Sequence, residues 1–309
     1  MLDNHHIAVV VPARDEEEHI TNVIETLPDY VDMVVIVNDG SQDATHERAQ
    51  HANSPCELVV LNNGGKGVGS AIDCGHQYLL EHLPKPFVSG VMAGDGQMNP
   101  DDLISVVQPI VNGHADHVKG NRRAHEEGYN LMPAARRRAT KILGFVTTLA
   151  SGQPIEDPQC GFTATSSSVL ESWDWQRSWK GYGYPNYWLI NLSRHGWRIA
   201  HVPVESIYKN ETSGIKAFPF FSNVGLMMAI EHHRRNLAWL KPRNLTPHSL
   251  FALLAYGLGW SAFLPWFSND LEAELAGRGV PLLLVGVFFW YMAHIFDRMA
   301  VRMHRELRT

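Results

Sequence analysis

The feature that most constrains this 309-residue chain is an alternation. Short apolar runs rich in β-branched residues each end in a polar, Gly-containing loop, and amphipathic stretches lie between them. "IAVVVP" (Ile7–Pro12), "MVVIV" (Met33–Val37), "LVVL" (Leu58–Leu61) and "FVSGVMA" (Phe87–Ala93) read as strands, because an unbroken apolar run of this length has no solvent face. Within "DEEEHITNVIETLP", Ile20, Val23, Ile24 and Leu27 have helical spacing, with the acids expected in the first turn. "GVGSAIDCGHQYLLEHL" predicts another helix, and Leu103, Val106, Val107, Ile110 and Val111 mark a further one. Strand–helix alternation of this kind predicts an α/β sandwich with a mostly parallel sheet. Ligands of such sheets bind beyond the carboxyl ends of the strands, where "PARDEE", "NDGS", "NNGGKG" and "AGDGQ" all lie.

The C-terminal part has a different composition. "SLFALLAYGLGWSAFLPWF" (Ser249–Phe267) and "VPLLLVGVFFWYMAHIF" (Val280–Phe296) carry no charged residue. Each is near the length that a membrane span requires, so the pair predicts a transmembrane hairpin, with buried core helices as the other reading. "HHRRNLAWLKPR" before the first stretch and "DRMAVRMHRELRT" after the second are basic, whereas "SNDLEAELAGRG" between them is mainly acidic. The positive-inside rule then sets both ends, and the domain before them, on the cytoplasmic side of the inner membrane. Trp260, Trp266, Trp290 and Tyr291 are candidate interfacial anchors. His232 and His233, beside Arg234 and Arg235, read as a membrane-surface patch rather than a metal site. The expected organisation is a cytoplasmic α/β domain over residues 1–216, an amphipathic interfacial segment over 217–245, with an ordinary helix packed on that domain as the other reading of the segment, and a hairpin with a basic tail over 246–309.

A net charge of −6, from 26 basic and 32 acidic residues, gives no nucleic-acid signature. Cys56, Cys74 and Cys160 stand at unrelated spacings, which fits a reducing compartment and neither a disulfide framework nor a Cys-based zinc site. "MLDNHHIAVVVPARDEEEHI" lacks the basic and apolar blocks of a signal peptide. The sequence leaves a homo-oligomer open.

Several loops carry chemistry. Asp39, in a tight turn with Gly40 and Ser41, can accept hydrogen bonds from a base or ribose, or serve as a cap. "NNGGKGVGSA" offers glycines and Lys66 at a helix start, which suits a diphosphate, although it is neither a Walker A loop nor a dinucleotide fingerprint. "VMAGDGQMNP" holds Asp95 and Gln97 as two oxygen donors for Mg²⁺ or Mn²⁺, with Ala93 where a second acid could stand. Asp101 and Asp102, after Pro100, read as residues of a helix start. "VKGNRR" and "ARRRATK" supply Arg122 and the Arg136–Arg138 cluster for phosphate binding, and at least one of the cluster is read as simply solvated. In "EDPQCGFTA", Asp157 is a candidate general base or acceptor-orienting group.

Taken in order, these motifs and "GYGYPNYWLINLSRHGWRIAHVPV" resemble family 2 inverting glycosyltransferases, nearest to the branch that acts on dolichyl and other polyprenyl phosphates. The resemblance covers about Ile7 to Lys216 and implies a GT-A nucleotide-sugar-binding fold. It implies nucleotide-sugar contacts at Pro12, Glu16, Asp39 and Asp95, with a metal shell completed by Gln97; Arg14, Lys66 and Gly67 are candidates for the same ligand from their place in these loops. Arg122, Ser213 and Lys216 are then implied for the acceptor phosphate, and Asp157 with Arg122 for catalysis, while Arg136 and Arg137 are phosphate-binding candidates from the basic stretch itself. Asn38 and Ala93 stand where the family pattern has acids, and Asn186 or Tyr187 stands where another is expected. The implied reaction is transfer of a hexose from a nucleoside diphosphate sugar to a polyprenyl phosphate. Transfer to a hydroxyl of a glycolipid or polysaccharide, and non-catalytic nucleotide-sugar binding, are the alternatives.

Overall fold

A computed structural model describes residues 1–125, 129–130, 132–181, 183–207, 217–262 and 271–306, without the side chains of 217–219, 271–278 and 280. Ser213 and Lys216 therefore lie outside the described residues, as does part of the first predicted span.

The predicted strands form β1 (His6–Ala13), β2 (Met33–Asn38), β3 (Glu57–Asn62) and β4 (Phe87–Val91), joined by β5 (His117–Asn121), β6 (Thr163–Ser166) and β7 (Ile199–Pro203). They make one seven-stranded sheet in the order β3-β2-β1-β4-β6-β5-β7. β6 runs antiparallel to both its neighbours and all other pairings are parallel, so the carboxyl ends of β1, β2, β4 and β5 share one edge.

Side chains alternate across a strand, which divides the apolar residues between two faces. Ile7, Val9, Val11, Val34 and Ile36 meet α1 (Ile20–Glu25) and α4 (Leu103–Val111) on one face. Ala8, Val10, Val35 and Val37 meet α3 (Val68–His82) on the other, continuous with α5 (Ala134–Ser151) and α7 (Tyr184–Arg194). Two short helices, α2 (Thr45–His51) and α6 (Ser167–Glu171), complete this part. The first helix starts at Ile20, so Asp15, Glu16, Glu17 and Glu18 precede it and are not in its first turn as expected.

α8 (Ala217–Ala238) leads to α9 (Pro247–Ser261) and α10 (Leu271–Glu306). Among the described residues, one segment, Pro281–Glu306 of α10, is long and apolar enough to cross a membrane. Its side chains at Leu284, Val287, Phe288 and Tyr291 are exposed. The 15 residues of α9 extend only ~22 Å at 1.5 Å per residue, short of a bilayer core, so a second span is not shown.

The basic patch predicted on α8 is only partly on the surface. Arg235 is 0% exposed and clamps Asp297 of α10, Nη1 at 2.9 Å and Nη2 at 2.5 Å, while its Nε donates to the Ala150 carbonyl of α5 at 3.0 Å. His232 is buried beside it, and Trp239 Nε1 donates to the same carboxylate at 3.3 Å. Helices α5, α8 and α10 converge on this cluster, and a guanidinium enclosed in that way is held by pairing with a carboxylate.

Candidate active site

The loops after β1 and β2 are stitched together before any ligand is considered. The amides of Asp15, Glu16 and Glu17 donate to Ser41 Oγ, Thr45 Oγ1 and Asp43 Oδ2 at 3.0, 2.7 and 3.1 Å. The amides of Gln42 and Ala44 donate back to the Asp15 and Glu17 carboxylates at 2.7 and 3.1 Å. The acids of "DEEE" thus act as caps for the next loop. Asn38 Oδ1 accepts from the Ser41 amide at 3.0 Å, a turn-closing task that an amide performs without adding charge.

Asp39 is buried at the end of β2. Its Oδ1 accepts from Asn63 Nδ2 at 2.6 Å, and both its oxygens lie within 3.1 Å of the Gly67 amide. It therefore anchors the Gly-rich loop. Gly67 has φ +100°, and a Cβ there would meet the Lys180 carbonyl oxygen at 2.8 Å, so only glycine fits. Lys180 in turn donates from Nζ to Asp73 of α3 at 2.7 Å, and the Tyr184 hydroxyl donates to the same carboxylate at 3.0 Å. Lys66 stays exposed on the loop, as does Arg14, whose Nε lies 3.8 Å from Asp15.

At the end of β4, Asp95 sits in a turn closed by the Gln97 amide, which donates to Oδ1 at 3.0 Å. The Pro12 carbonyl accepts from the Gly94 amide at 3.2 Å, tying this turn to β1. Burial pushes the Asp95 carboxyl up, against the Gln97 amide and the positive fields of His19 and Arg136. Arg136, at the start of α5, thus lies within electrostatic reach of Asp95. On its far side the turn is held by Ile207, whose amide donates to the Gln97 carbonyl at 2.9 Å, and by the Met98–Ser206 bridge. Asp101 and Asp102 occupy a short 3₁₀ turn, where Asp102 accepts from the Glu205 amide at 2.6 Å.

Arg122 follows β5. Its Nε and Nη2 grip the two oxygens of Asp157 at 2.7 and 2.8 Å, and its own amide donates to Asp157 Oδ2 at 3.1 Å. Asp157 is 0% exposed and Arg122 12%, so the carboxylate is enclosed while the guanidinium reaches the surface. Burial pushes the Asp157 carboxyl up, but the Arg122 hydrogen bonds and charge outweigh it and hold it below the usual range. Asn186 braces the same loop: its Nδ2 donates to Thr147 Oγ1 at 2.8 Å and its Oδ1 accepts from Gln159. Tyr187 is buried and packs edge-on against Trp173. Arg137 lies over the Tyr129 ring at 5.9 Å, and Arg138 is exposed.

One residue beneath this site escaped the sequence reading. Lys119 is 0% exposed, and its Nζ donates to the Cys160 carbonyl on the loop that carries Asp157. Register pairs it with Thr163 on β6 and His201 on β7, while His117 pairs with Thr165 one step away. A polar row therefore crosses the sheet under Tyr184 and Trp188 of α7, around a cavity of about 40 Å³. Burial lowers the Lys119 ammonium to about 8. A lone Lys in "HVKGN" carries no sequence signal for this; its partners come from β6 and β7.

Residues 8–173 match the family model described as glycosyl transferase family 2. The chain belongs to this family. It is a glycosyltransferase with a GT-A-type fold. It is 30% identical over 217 residues to the UDP-N-acetylglucosamine–dolichyl-phosphate N-acetylglucosaminyltransferase of Methanococcus voltae, covering 65% of this chain and 86% of that one. It is 26% identical over 203 residues to the undecaprenyl-phosphate mannosyltransferase of Micrococcus luteus, covering 64% and 82%. Among solved structures, glucosyl-3-phosphoglycerate synthase of Mycobacterium tuberculosis with Mg²⁺ and UDP superposes with a TM-score of 0.52 at 20% identity, covering 74% and 80%.

Proposed function

We propose that this glycosyltransferase moves a hexose or N-acetylhexosamine from a nucleoside diphosphate sugar to a polyprenyl phosphate at a membrane, inverting the anomeric carbon. The observation that carries this reading is the Arg122–Asp157 clamp at the sheet edge. A hydroxyl acceptor needs a base to remove its proton. Asp157 is a poor one, because both its oxygens are committed to Arg122 and its carboxyl is held below the usual range. A phosphate monoester, with a second pKa of ~6, reaches the site already a dianion. What it needs is positioning and compensation of its charge. Arg122, Arg136 and Arg137 are assigned to that task, with Ser213 and Lys216 proposed from the family pattern. The relatives named for dolichyl and undecaprenyl phosphate support the same acceptor class.

On the donor side we assign Pro12, Arg14, Glu16, Asp39, Lys66, Gly67 and Asp95 to the nucleotide sugar. Asp39 acts through the Gly67 loop as well as through any lone pair it offers a nucleoside. Among the described residues no cluster of three or more His, Cys, Asp or Glu could enclose a metal ion. Asp95 and Gln97 still fit Mg²⁺ or Mn²⁺, hard cations that keep several waters and share phosphate oxygens. Bound there, the ion would neutralise charge on the leaving diphosphate. Asp95 supplies the single anionic ligand, so divalent-ion binding should be weak alone and tightened by the nucleotide. Calorimetric Mn²⁺ titration with and without UDP or GDP tests this, and equal affinity in both refutes it.

α10 supports membrane attachment, with the basic residues Arg234, Lys241 and Arg243 supporting a cytoplasm-facing catalytic domain. The test is product analysis with polyprenyl phosphate and a donor panel in Mg²⁺ or Mn²⁺. Asp157→Asn separates the acceptors: transfer to phosphate should survive in part, whereas transfer to a hydroxyl that used this base would cease.

A further inference from the structure

A second cationic feature lies away from the sheet edge. Arg298, Arg302 and Arg305 recur at spacings of four and three on α10, which puts them on one helix face. With Met299 and Val301 they line one wall of a groove of about 340 Å³, and Gly152, Gln153 and Pro154 form the other. Among the described residues no carboxylate lines it. Arg302 shares its charge with Glu306 at 3.0 Å in an exposed pair, whereas Arg298 and Arg305 have no acidic partner among the described residues. Like-charged guanidiniums held along one groove repel each other, and an anion seated there relieves this.

Position along the helix indicates which anion. The exposed apolar face of α10 centres near Val287, between Leu283 and Tyr291. At ~1.5 Å per residue Arg298 lies about 17 Å, and Arg302 about 22 Å, along the axis from Val287. The hydrocarbon core ends ~15 Å from the bilayer centre and the headgroup zone ~20–22 Å from it. The arginines thus begin where headgroup phosphates lie. Planar guanidiniums bind phosphate oxygens two at a time, and an anionic phospholipid carries such a group without the compensating cation of phosphatidylcholine.

We propose that this groove binds the headgroup of an anionic phospholipid, distinct from the acceptor site. The opposite wall continues through Ile155 and Glu156 into Asp157, so the lipid abuts the segment that carries the Arg122 clamp. The proposal rests on the reading that α10 lies in a bilayer. The full chain is purified in a neutral detergent and titrated with phosphatidylglycerol, phosphatidylcholine or inorganic phosphate. Lipid retention is followed by native mass spectrometry, and stability by thermal denaturation. Phosphatidylglycerol should be retained and raise the midpoint, and phosphatidylcholine should not. Arg298→Gln/Arg305→Gln, both outside the active site, should weaken retention at least tenfold, while Arg122→Ala should leave it unchanged. Equal retention of both lipids, or undiminished retention in the double variant, overturns the proposal. Loss of retention in Arg122→Ala would put the lipid in the acceptor site, and an equal midpoint shift with inorganic phosphate would make this a free-anion site; both also overturn it. A chain that stays monodisperse without detergent and ignores bilayers would refute the membrane reading itself.

Discussion

Arg122 with Asp157 and Arg235 with Asp297 are the same pair of residue types, each joined by two hydrogen bonds, through Nε and Nη2 in the one and Nη1 and Nη2 in the other. Their surroundings differ. Arg235 is enclosed on every side by α5, α8 and α10, with its Nε spent on the Ala150 carbonyl. Arg122 is enclosed on its Asp157 side and reaches the surface at the edge where the strands end. Arg235 and Asp297 fasten α8 and α10 to α5. To Arg122 we assign the presentation of a fixed positive charge to whatever occupies the site. Burial of the carboxylate alone makes a positioned cation; burial of both partners makes a structural joint.

The largest effect should come from breaking the joint. Asp297→Ala leaves Arg235 buried and uncompensated, which costs ~3–5 kcal/mol. Thermal or chemical denaturation in detergent should show this loss, while kcat of the folded fraction at low temperature stays near wild type. A fall in kcat without a loss of stability would erase the distinction between the two pairs. Arg122→Ala should do the reverse. Removing one preorganised charge donor costs about 10²–10³ in rate. Steady-state kinetics should show this together with a weaker acceptor KM, and donor binding by calorimetry should be unchanged.

Lys119→Met should act more mildly, through the Cys160 carbonyl it holds. One hydrogen bond to a charged group is worth ~1.5 kcal/mol of stability, which thermal denaturation should show. Its pH dependence has a definite sign. The folded-state value of about 8 lies below the unfolded 10.5, so the unfolded chain binds more protons between them. Wild-type stability therefore gains from this group as pH rises from 8 towards 10.5. The stability difference between Lys119→Met and wild type should shift in favour of wild type over that range; a pH-independent difference would mean Lys119 is not buried as a cation. The smallest effect is expected at Lys66, exposed on the Gly-rich loop. Lys66→Ala should weaken donor binding by about fivefold, ~1 kcal/mol for an exposed ionic contact, as measured by nucleotide-sugar titration.

What could be read in the sequence follows from local pattern. The first four strands are apolar runs and formed almost where the runs lie, from His6, Met33, Glu57 and Phe87. Asp39 and Asp95 were placed at strand ends by the turn residues that follow them. The joints were not legible, because they link residues remote in sequence: Lys180 to Asp73 across 107 positions, Arg235 to Asp297 across 62. Arg235 reads as one member of a membrane-surface patch because "HHRRN" has no periodicity that marks the third position after His232 as inward. Asp157 reads as a general base or an acceptor-orienting group because its partner, Arg122, is 35 residues away. Lys119 stands in a strand with one apolar residue, Val118, and its role is visible only with β6 and β7 beside it.

The central claim is that the Arg122 cation faces a phosphate acceptor rather than a hydroxyl. Mass spectrometry of lipid products, from purified enzyme given polyprenyl phosphate and a panel of UDP- and GDP-sugars with Mg²⁺ or Mn²⁺, tests it most directly. The expected result is a single glycosyl group joined to the lipid phosphate, lost in Arg122→Ala and partly kept in Asp157→Asn. No lipid-phosphate product with any donor, or sugar found only on a hydroxyl of a glycolipid acceptor, would contradict it.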